Sequence, residues 1–250
     1  MKKDNIVVVG LGEVGKPLRE IISRHHNVEG VDITPPSTLM KDVDVLHICF
    51  PFQIRDFVGE CARYIQLYSP KVTIINSTVA VGTTRAVAKR AGVPVVYSPV
   101  RGKHARMVQE MLHYTKFVGG LDRASADLAV RHFESIGMKT KALSSPEATE
   151  VAKLTETTFF GLMIAWAQEV ERYADQIGQN YDEITSFYDE IGFFPPVKYT
   201  PGVIGGHCVM PNIELLRTLD DSDILRAIQS SNKKKVERET NAPKLVNATK

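Results

Sequence analysis

The chain has 250 residues, of which 43% are hydrophobic and 24% charged, with a formal net charge of +2. That length suffices for one large domain or two modest ones with a substantial core. The near balance of charge gives no electrostatic case for nucleic acid or an anionic membrane, and no apolar run approaches the roughly 20 residues that span a bilayer.

Cys49, Cys61 and Cys208 are widely spaced and form no metal-ligand pattern, so no metal is expected and a reduced, cytoplasmic protein is. The first three residues resemble a signal peptide, but the apolar run that follows is too short for one.

Through the first 145 residues, short β-branched runs alternate with helical patterns. NIVVVG, VEGVD, VDVLHICF, VTIINS, PVVYSP, TKFVGG and MKTKAL read as strands. Most are continuous apolar runs, which suggests strands buried on both faces. Helical patterns intervene near 14–25, 53–66, 83–91 and 123–137. The order predicts an α/β fold, a Rossmann-type, mainly parallel doubly wound sheet.

A different pattern begins at Ser145-Pro146-Glu147, a helix start with Ser145 as cap and Pro146 at the first position. The helix is expected to run over 146–178, broken only by the tolerable Gly161. Val151, Leu154, Phe159, Leu162, Trp166, Val170, Tyr173 and Ile177 mark an apolar face, widened by Phe160, Met163 and Ile164. Such a helix predicts a smaller all-helical domain built on it, and a homodimer interface. The division expected is 1–145 and 146–250. Helical DEITSFYDEIG precedes a long Pro- and Gly-rich loop, FFPPVKYTPGVIGGHCVMPN, and a final helix is expected near 222–238. SNKKKVERET within it reads as a solvated helix end.

Gly10-Leu11-Gly12-Glu13-Val14-Gly15 follows a strand and opens a helix, which is the dinucleotide-binding fingerprint. Gly10 permits the tight turn, Gly12 lets backbone approach a pyrophosphate, and Gly15 lets the helix pack on the sheet. Asp32 ends the second strand, where an acid binds ribose hydroxyls and repels a 2′-phosphate, so NAD is favoured over NADP. Pro51 in CFPF and Thr78 in NSTVAVGTT lie at further strand ends lining the same crevice. Read locally, Thr78 serves equally as a turn-stabilising residue.

Cys208 sits after a glycine pair in the loop. A buried inert thiol is the usual reading of such a residue, but the flanking glycines argue for access, and His207 could bias it toward thiolate. Lys153, read alone, is a snorkelling surface lysine.

GLGEVG with GVD, NSTVAVGTT, EVAKLTETTFF and PGVIGGHC together resemble the UDP-glucose/GDP-mannose dehydrogenase family, the nucleotide-sugar 6-dehydrogenases, from residue 5 to about 216. The resemblance implies two NAD-dependent oxidations of a primary alcohol to a carboxylate. It puts Cys208 in the role of the thiol that forms a thiohemiacetal and then a thioester, and Lys153 in that of the lysine stabilising an oxyanion. Thr157 stands where the family has asparagine, Asn212 where it has aspartate, Val100 where it has a glutamate. His104 occupies the position of a second glutamate, where it is a general base or simply a loop histidine. The chain ends soon after the cysteine loop, so a short form lacking the family's C-terminal nucleotide-binding domain is expected. Its substrate is expected to be a small molecule of the nucleotide-sugar kind. Two other readings remain: a two-electron β-hydroxyacid-type dehydrogenase, which needs no cysteine, and a degenerate NAD-binding protein without turnover.

Overall fold

The structure is a computed structural model that describes residues 3–32, 38–102, 106–190, 199–205 and 208–241. The chain separates into two compact units, Met1–Lys153 and Leu154–Lys250. The division falls within the long helix, past the 145/146 boundary expected from the change in pattern.

In the first unit, seven strands among the described residues form one sheet: β1 (Asn5–Val9), β2 (Asn27–Val31), β3 (Val45–Ile48), β4 (Val72–Ile75), β5 (Val95–Tyr97), β6 (Lys116–Gly120) and β7 (Thr140–Leu143), in the order β2-β1-β3-β4-β5-β6-β7. Each expected strand is present. All neighbours pair in parallel except β5 and β6, which run antiparallel. The parallel pairs require crossovers, supplied by α1 (Gly15–Ser23), α2 (Phe57–Tyr68), α3 (Thr83–Ala91) and α5 (Arg123–Ser135).

Strand period explains the two cores. Ile6 and Val8 of β1 pack with Leu18, Ile21 and Phe133 on one face, while Val7 and Val9 pack with Phe57, Tyr64 and Val87 on the other. A continuous apolar run is therefore what a two-faced strand needs. One short helix, α4 (Met107–His113), was not foreseen; its Met107 and Met111 complete the first core.

The long helix α6 spans Pro146–Gln176, about 46 Å at 1.5 Å per residue. It starts as expected, with Ser145 Oγ accepting from the Ala148 N–H at 3.1 Å. The second unit comprises its residues from Leu154 on, α7 (Tyr181–Thr185), a 3-10 turn over Ser186–Glu190, α8 (Val209–Arg217) and α9 (Asp223–Asn241).

Two expectations need correction here. The long loop does not continue through VMPN, because α8 begins at Val209 with Cys208 as its N-cap. The apolar residues of α6 also do not form one buried face. Its inward side is made of Leu154, Gly161, Ala165, Ala167, Val170 and Ala174, whereas Phe159, Phe160, Leu162, Trp166, Tyr173 and Ile177 are exposed. Small residues face in because α8 approaches closely: a Cβ on Gly161 would lie 2.5 Å from Val209 Cγ1.

Candidate functional site

The sheet order reverses at β1, which lies between β2 and β3, so a crevice opens at the carboxyl ends of β1 and β3. Gly10, directly after β1, has φ +90°, and a Cβ there would fall 2.5 Å from the Phe50 nitrogen. Its N–H donates to the Val31 carbonyl at 2.8 Å, fixing the turn against β2. Gly15 is tighter, since a Cβ would meet the Gly10 carbonyl oxygen at 1.7 Å. Gly12 is the opposite case, with nothing within 4 Å of a Cβ. Helix α1 begins at Gly15 with no side-chain cap and no acid in its first turn. Turn, close packing and open approach thus occur at the three glycines as a pyrophosphate cradle requires, and the residues present fit a dinucleotide.

Around the cradle, Glu13 and Asp32 are exposed, Val14 is half-buried and Pro51 is exposed at the end of β3. The turn after β4 is held by Ser77 Oγ donating to the Phe50 carbonyl at 2.6 Å. That leaves Thr78 half-buried at the rim.

Lys153 lies half-buried in the second turn of α6. The start of this helix is fastened to α3 by Glu150, which is fully buried. Its carboxylate accepts from Gly82 N–H (2.7 Å), Thr84 N–H (2.9 Å) and Thr84 Oγ–H (2.6 Å). Glu150 therefore caps α3, whose own N-cap, Gly82, has no side chain to do so. Burial raises its carboxyl above the usual range, opposed by these three donors.

Sequence reasoning also missed Lys116, which opens β6 and is buried. Its Nζ donates to the Ser98 carbonyl (2.8 Å), the Pro99 carbonyl (2.9 Å) and Asn76 Oδ1 (3.3 Å), joining the ends of β4 and β5. Burial brings this amine down to about 7; the Cys49 thiol opposes the shift and the Lys153 ammonium adds to it. Asn76 Nδ2 donates in turn to His47 Nδ1 at 3.0 Å, which makes His47 Nε2 the donor to His132 Nε2 at 2.8 Å. Burial holds both imidazoles neutral, His132 down to about 3. The only signal for this chain was a lysine and a histidine interrupting apolar strands.

In the second unit, Cys208 is exposed at the start of α8. The other thiols are poor nucleophiles by comparison: burial pushes Cys49 up to about 12 and raises Cys61 as well. Thr157 and Asn212 are brought together, Asn212 Nδ2 donating to Thr157 Oγ1 at 2.7 Å, while Thr157 Oγ–H donates to the Leu154 carbonyl at 3.0 Å. The hydroxyl proton is thus spent on its own helix, and Asn212 is 3% exposed. The loop before Cys208 is fastened by Asn232 and Gln168, neither of which sequence reasoning singled out. His104 and His207 lie outside the described residues. No group of three or more His, Cys, Asp or Glu that could hold a metal occurs among the described residues, and no helix among them is long and apolar enough to cross a membrane.

The fold and cradle define the class, a Rossmann-type dinucleotide-binding fold followed by a helical second unit. Residues 147–234 match the model of the UDP-glucose/GDP-mannose dehydrogenase family, central domain. The UDP-N-acetyl-D-mannosamine dehydrogenase of Methanocaldococcus jannaschii is 26% identical over 91% of this chain and 68% of its own length. The solved UDP-D-ManNAc dehydrogenase of Pyrococcus horikoshii superposes with TM-score 0.81 at 22% identity, covering 94% of this chain and 70% of that one. Mycobacterium tuberculosis 3-hydroxyisobutyrate dehydrogenase superposes with TM-score 0.70 at 15% identity, covering 96% and 95%. The chain spans 42–68% of the length of the first curated relatives it matches.

Proposed function

We propose that the protein is an NAD-dependent dehydrogenase that oxidises the primary alcohol of a nucleotide sugar toward the carboxylate. The observation that carries this reading is the cradle: no side chain fits at Gly10 or Gly15, and nothing obstructs Gly12. In this reading the first unit binds the cofactor, and the second supplies the thiol and the dimer contact. The N–H groups at Gly12–Gly15, with Glu13 and Val14, face the phosphates; Asp32 accepts from the ribose hydroxyls; Pro51 and Thr78 line the nicotinamide end. NAD, when bound, accepts hydride.

The chain's own residues do the rest. The neutral Lys153 amine would take up the hydroxyl proton as hydride leaves the carbinol carbon for NAD, and the ammonium so formed would donate to the aldehyde oxygen. Cys208 thiolate adds to the aldehyde carbon, forming a C–S bond and placing the carbonyl electron pair on oxygen; return of that pair would expel hydride to a second NAD and leave a thioester. His104 fits the role of base toward water. Thr157 and Asn212 hold a neutral pair one turn beyond Lys153 and Cys208 in their respective helices.

The test is NADH formation from NAD and UDP-N-acetyl-D-mannosamine, followed by absorbance, with the Cys208→Ser and Lys153→Met variants beside the wild type. The expected result is turnover in the wild type, its loss in both variants, and unchanged NAD affinity. NAD binding without NADH across nucleotide sugars and hydroxy acids would leave a binding protein without turnover. Undiminished turnover by Cys208→Ser would favour a two-electron β-hydroxyacid-type reaction. The near-complete mutual coverage with the 3-hydroxyisobutyrate dehydrogenase fold supports keeping that second reading.

The exposed row on α6 supports a homodimer through this helix. Phe159, Leu162, Trp166, Tyr173 and Ile177 recur at helical spacing, with Trp166 51% and Ile177 65% exposed. Trp166→Glu is expected to give monomers in light scattering. The three free cysteines support a reducing compartment, the cytoplasm.

A further inference from the structure

The second unit buries a group of polar side chains that its fold alone does not require. Gln168 of α6 is fully buried, and Ser231 and Asn232 of α9 nearly so. Their hydrogen bonds converge on the main chain of the loop that precedes Cys208. Asn232 pairs with both sides of one residue: the Ile204 N–H donates to Asn232 Oδ1 at 2.7 Å, and Asn232 Nδ2 donates to the Ile204 carbonyl at 3.0 Å. The two opposed demands fix the amide's orientation without ambiguity. Gln168 Nε2 donates to the Gly202 carbonyl at 2.7 Å, with Asn232 Oδ1 at 3.4 Å. Ser231 Oγ–H is shared between Gln168 Oε1 (3.0 Å) and the Ala165 carbonyl (3.2 Å), and it accepts from Arg172 Nη2 at 2.8 Å.

Apolar residues would fill the same space between two helices with no donors to satisfy. The group instead substitutes side-chain amides for the strand partner that an extended loop lacks, and Ile204 is sunk into the core beneath it. On the far side of Cys208, Val209 is seated against Gly161 and Asn212 against Thr157. The chain is therefore pinned at Ile204 and again at Val209, with the thiol between the two anchors.

We propose that Gln168, Ser231 and Asn232 are positioning residues for the Cys208 thiol, holding the loop main chain so that the sulfur is presented in one orientation at the start of α8. The inference rests on Cys208 as the reacting group, but it is tested on the thiol itself and needs no substrate. Cys208 is the exposed cysteine, and Cys208→Ser supplies the blank for iodoacetamide labelling.

Asn232→Leu keeps the branched shape and removes both bonds to Ile204; Asn232→Asp keeps the acceptor and loses the donor; Gln168→Leu releases Gly202. Lys233→Ala, exposed on the same helix, is the control. Asn232→Leu is expected to change the alkylation rate of Cys208 by about tenfold and to move the apparent thiol pKa read from its pH profile. Asn232→Asp should fall between it and the wild type, with NAD affinity unchanged throughout. In turnover with UDP-N-acetyl-D-mannosamine, kcat should drop by about 10–100-fold. If Asn232→Leu does not fold, Asn232→Asp and Gln168→Leu decide the matter. Folded variants whose Cys208 rate and pH profile match the wild type would overturn the proposal. Persistent turnover by Cys208→Ser would overturn the proposed function while leaving the thiol result standing.

Discussion

The two units reach order at their candidate sites by opposite means. In the first, the crevice is shaped by the absence of side chains, with Gly10 and Gly15 allowing backbone to touch backbone where any Cβ would collide. In the second, the loop before the thiol is glycine- and proline-rich but is held by side chains from elsewhere, Asn232 and Gln168. A site made from glycines is encoded locally and tolerates no addition. A loop held by remote amides is encoded at distant positions and is sensitive to what is removed.

Gly15→Ala should produce the largest effect, because a Cβ cannot rotate away from the Gly10 carbonyl. A loss of about 5 kcal/mol or more is expected in denaturant titration, together with loss of NAD binding. A variant with wild-type stability would break the idea that this crevice is built on close backbone contact.

The buried histidine pair beneath the sheet should also respond to acid. Burial depresses His132 to about 3, from the 6.5 of the unfolded chain. With the folded value below the unfolded one, the stabilising contribution is complete above about pH 6.5 and is lost as pH falls toward 3. The span corresponds to about 3–5 kcal/mol. His132→Leu should flatten that part of the stability curve in chemical denaturation across pH, and an unchanged slope would count against a neutral histidine pair. Lys116 has the same sign at higher pH: its amine, brought down to about 7, makes stability rise from pH 7 toward 10. Lys116→Met should remove that rise.

These responses separate what could be read along the chain from what could not. The strands were legible because a strand buried on both faces must be apolar throughout, as Val7 and Val8 illustrate by packing into different cores. The cradle was legible because its three glycines, Gly10, Gly12 and Gly15, fall within six residues. Helix α8 was not, because Pro211 and the preceding loop conceal a start that Cys208 caps without a side-chain bond. Gly161 read as a tolerated flaw in α6, yet it is the seat of Val209, a contact that local sequence cannot announce. Glu150, Lys116 and Asn232 escaped for the same reason, since each owes its role to a main chain 17 to 68 residues away.

Asn212→Asp sharpens the comparison within the second unit. The side chain is buried against Thr157, whose hydroxyl proton is already bonded to the Leu154 carbonyl. A carboxylate at 212 would have to draw that proton away, leaving the Leu154 carbonyl with its helical partner alone. Burial would raise the new carboxyl above its unfolded value, so the contribution it makes when protonated is lost as pH rises through the folded pKa. Thermal melts should place the variant about 1–3 kcal/mol below the wild type at pH 7, and level with it near pH 3. Alkylation of Cys208, one turn away, should slow, because a nearby anion disfavours the thiolate. Equal stability at pH 7 would indicate that the pair has room for a charge.

The smallest effect belongs to Gly12→Ala. Nothing lies within 4 Å of a Cβ there, and its φ is not in the left-handed region. The added methyl group should therefore change folding stability by less than about 0.5 kcal/mol. In the cradle the same methyl occupies space that a pyrophosphate would need, so NAD affinity measured by calorimetry should fall although the fold does not notice. Gly12→Ala beside Gly15→Ala then divides the glycines by role, since one loses ligand and fold together and the other loses ligand alone. If Gly12→Ala binds NAD as the wild type does, the open face of the cradle is not where the phosphates sit. The glycines would then serve only the packing of α1 on the sheet.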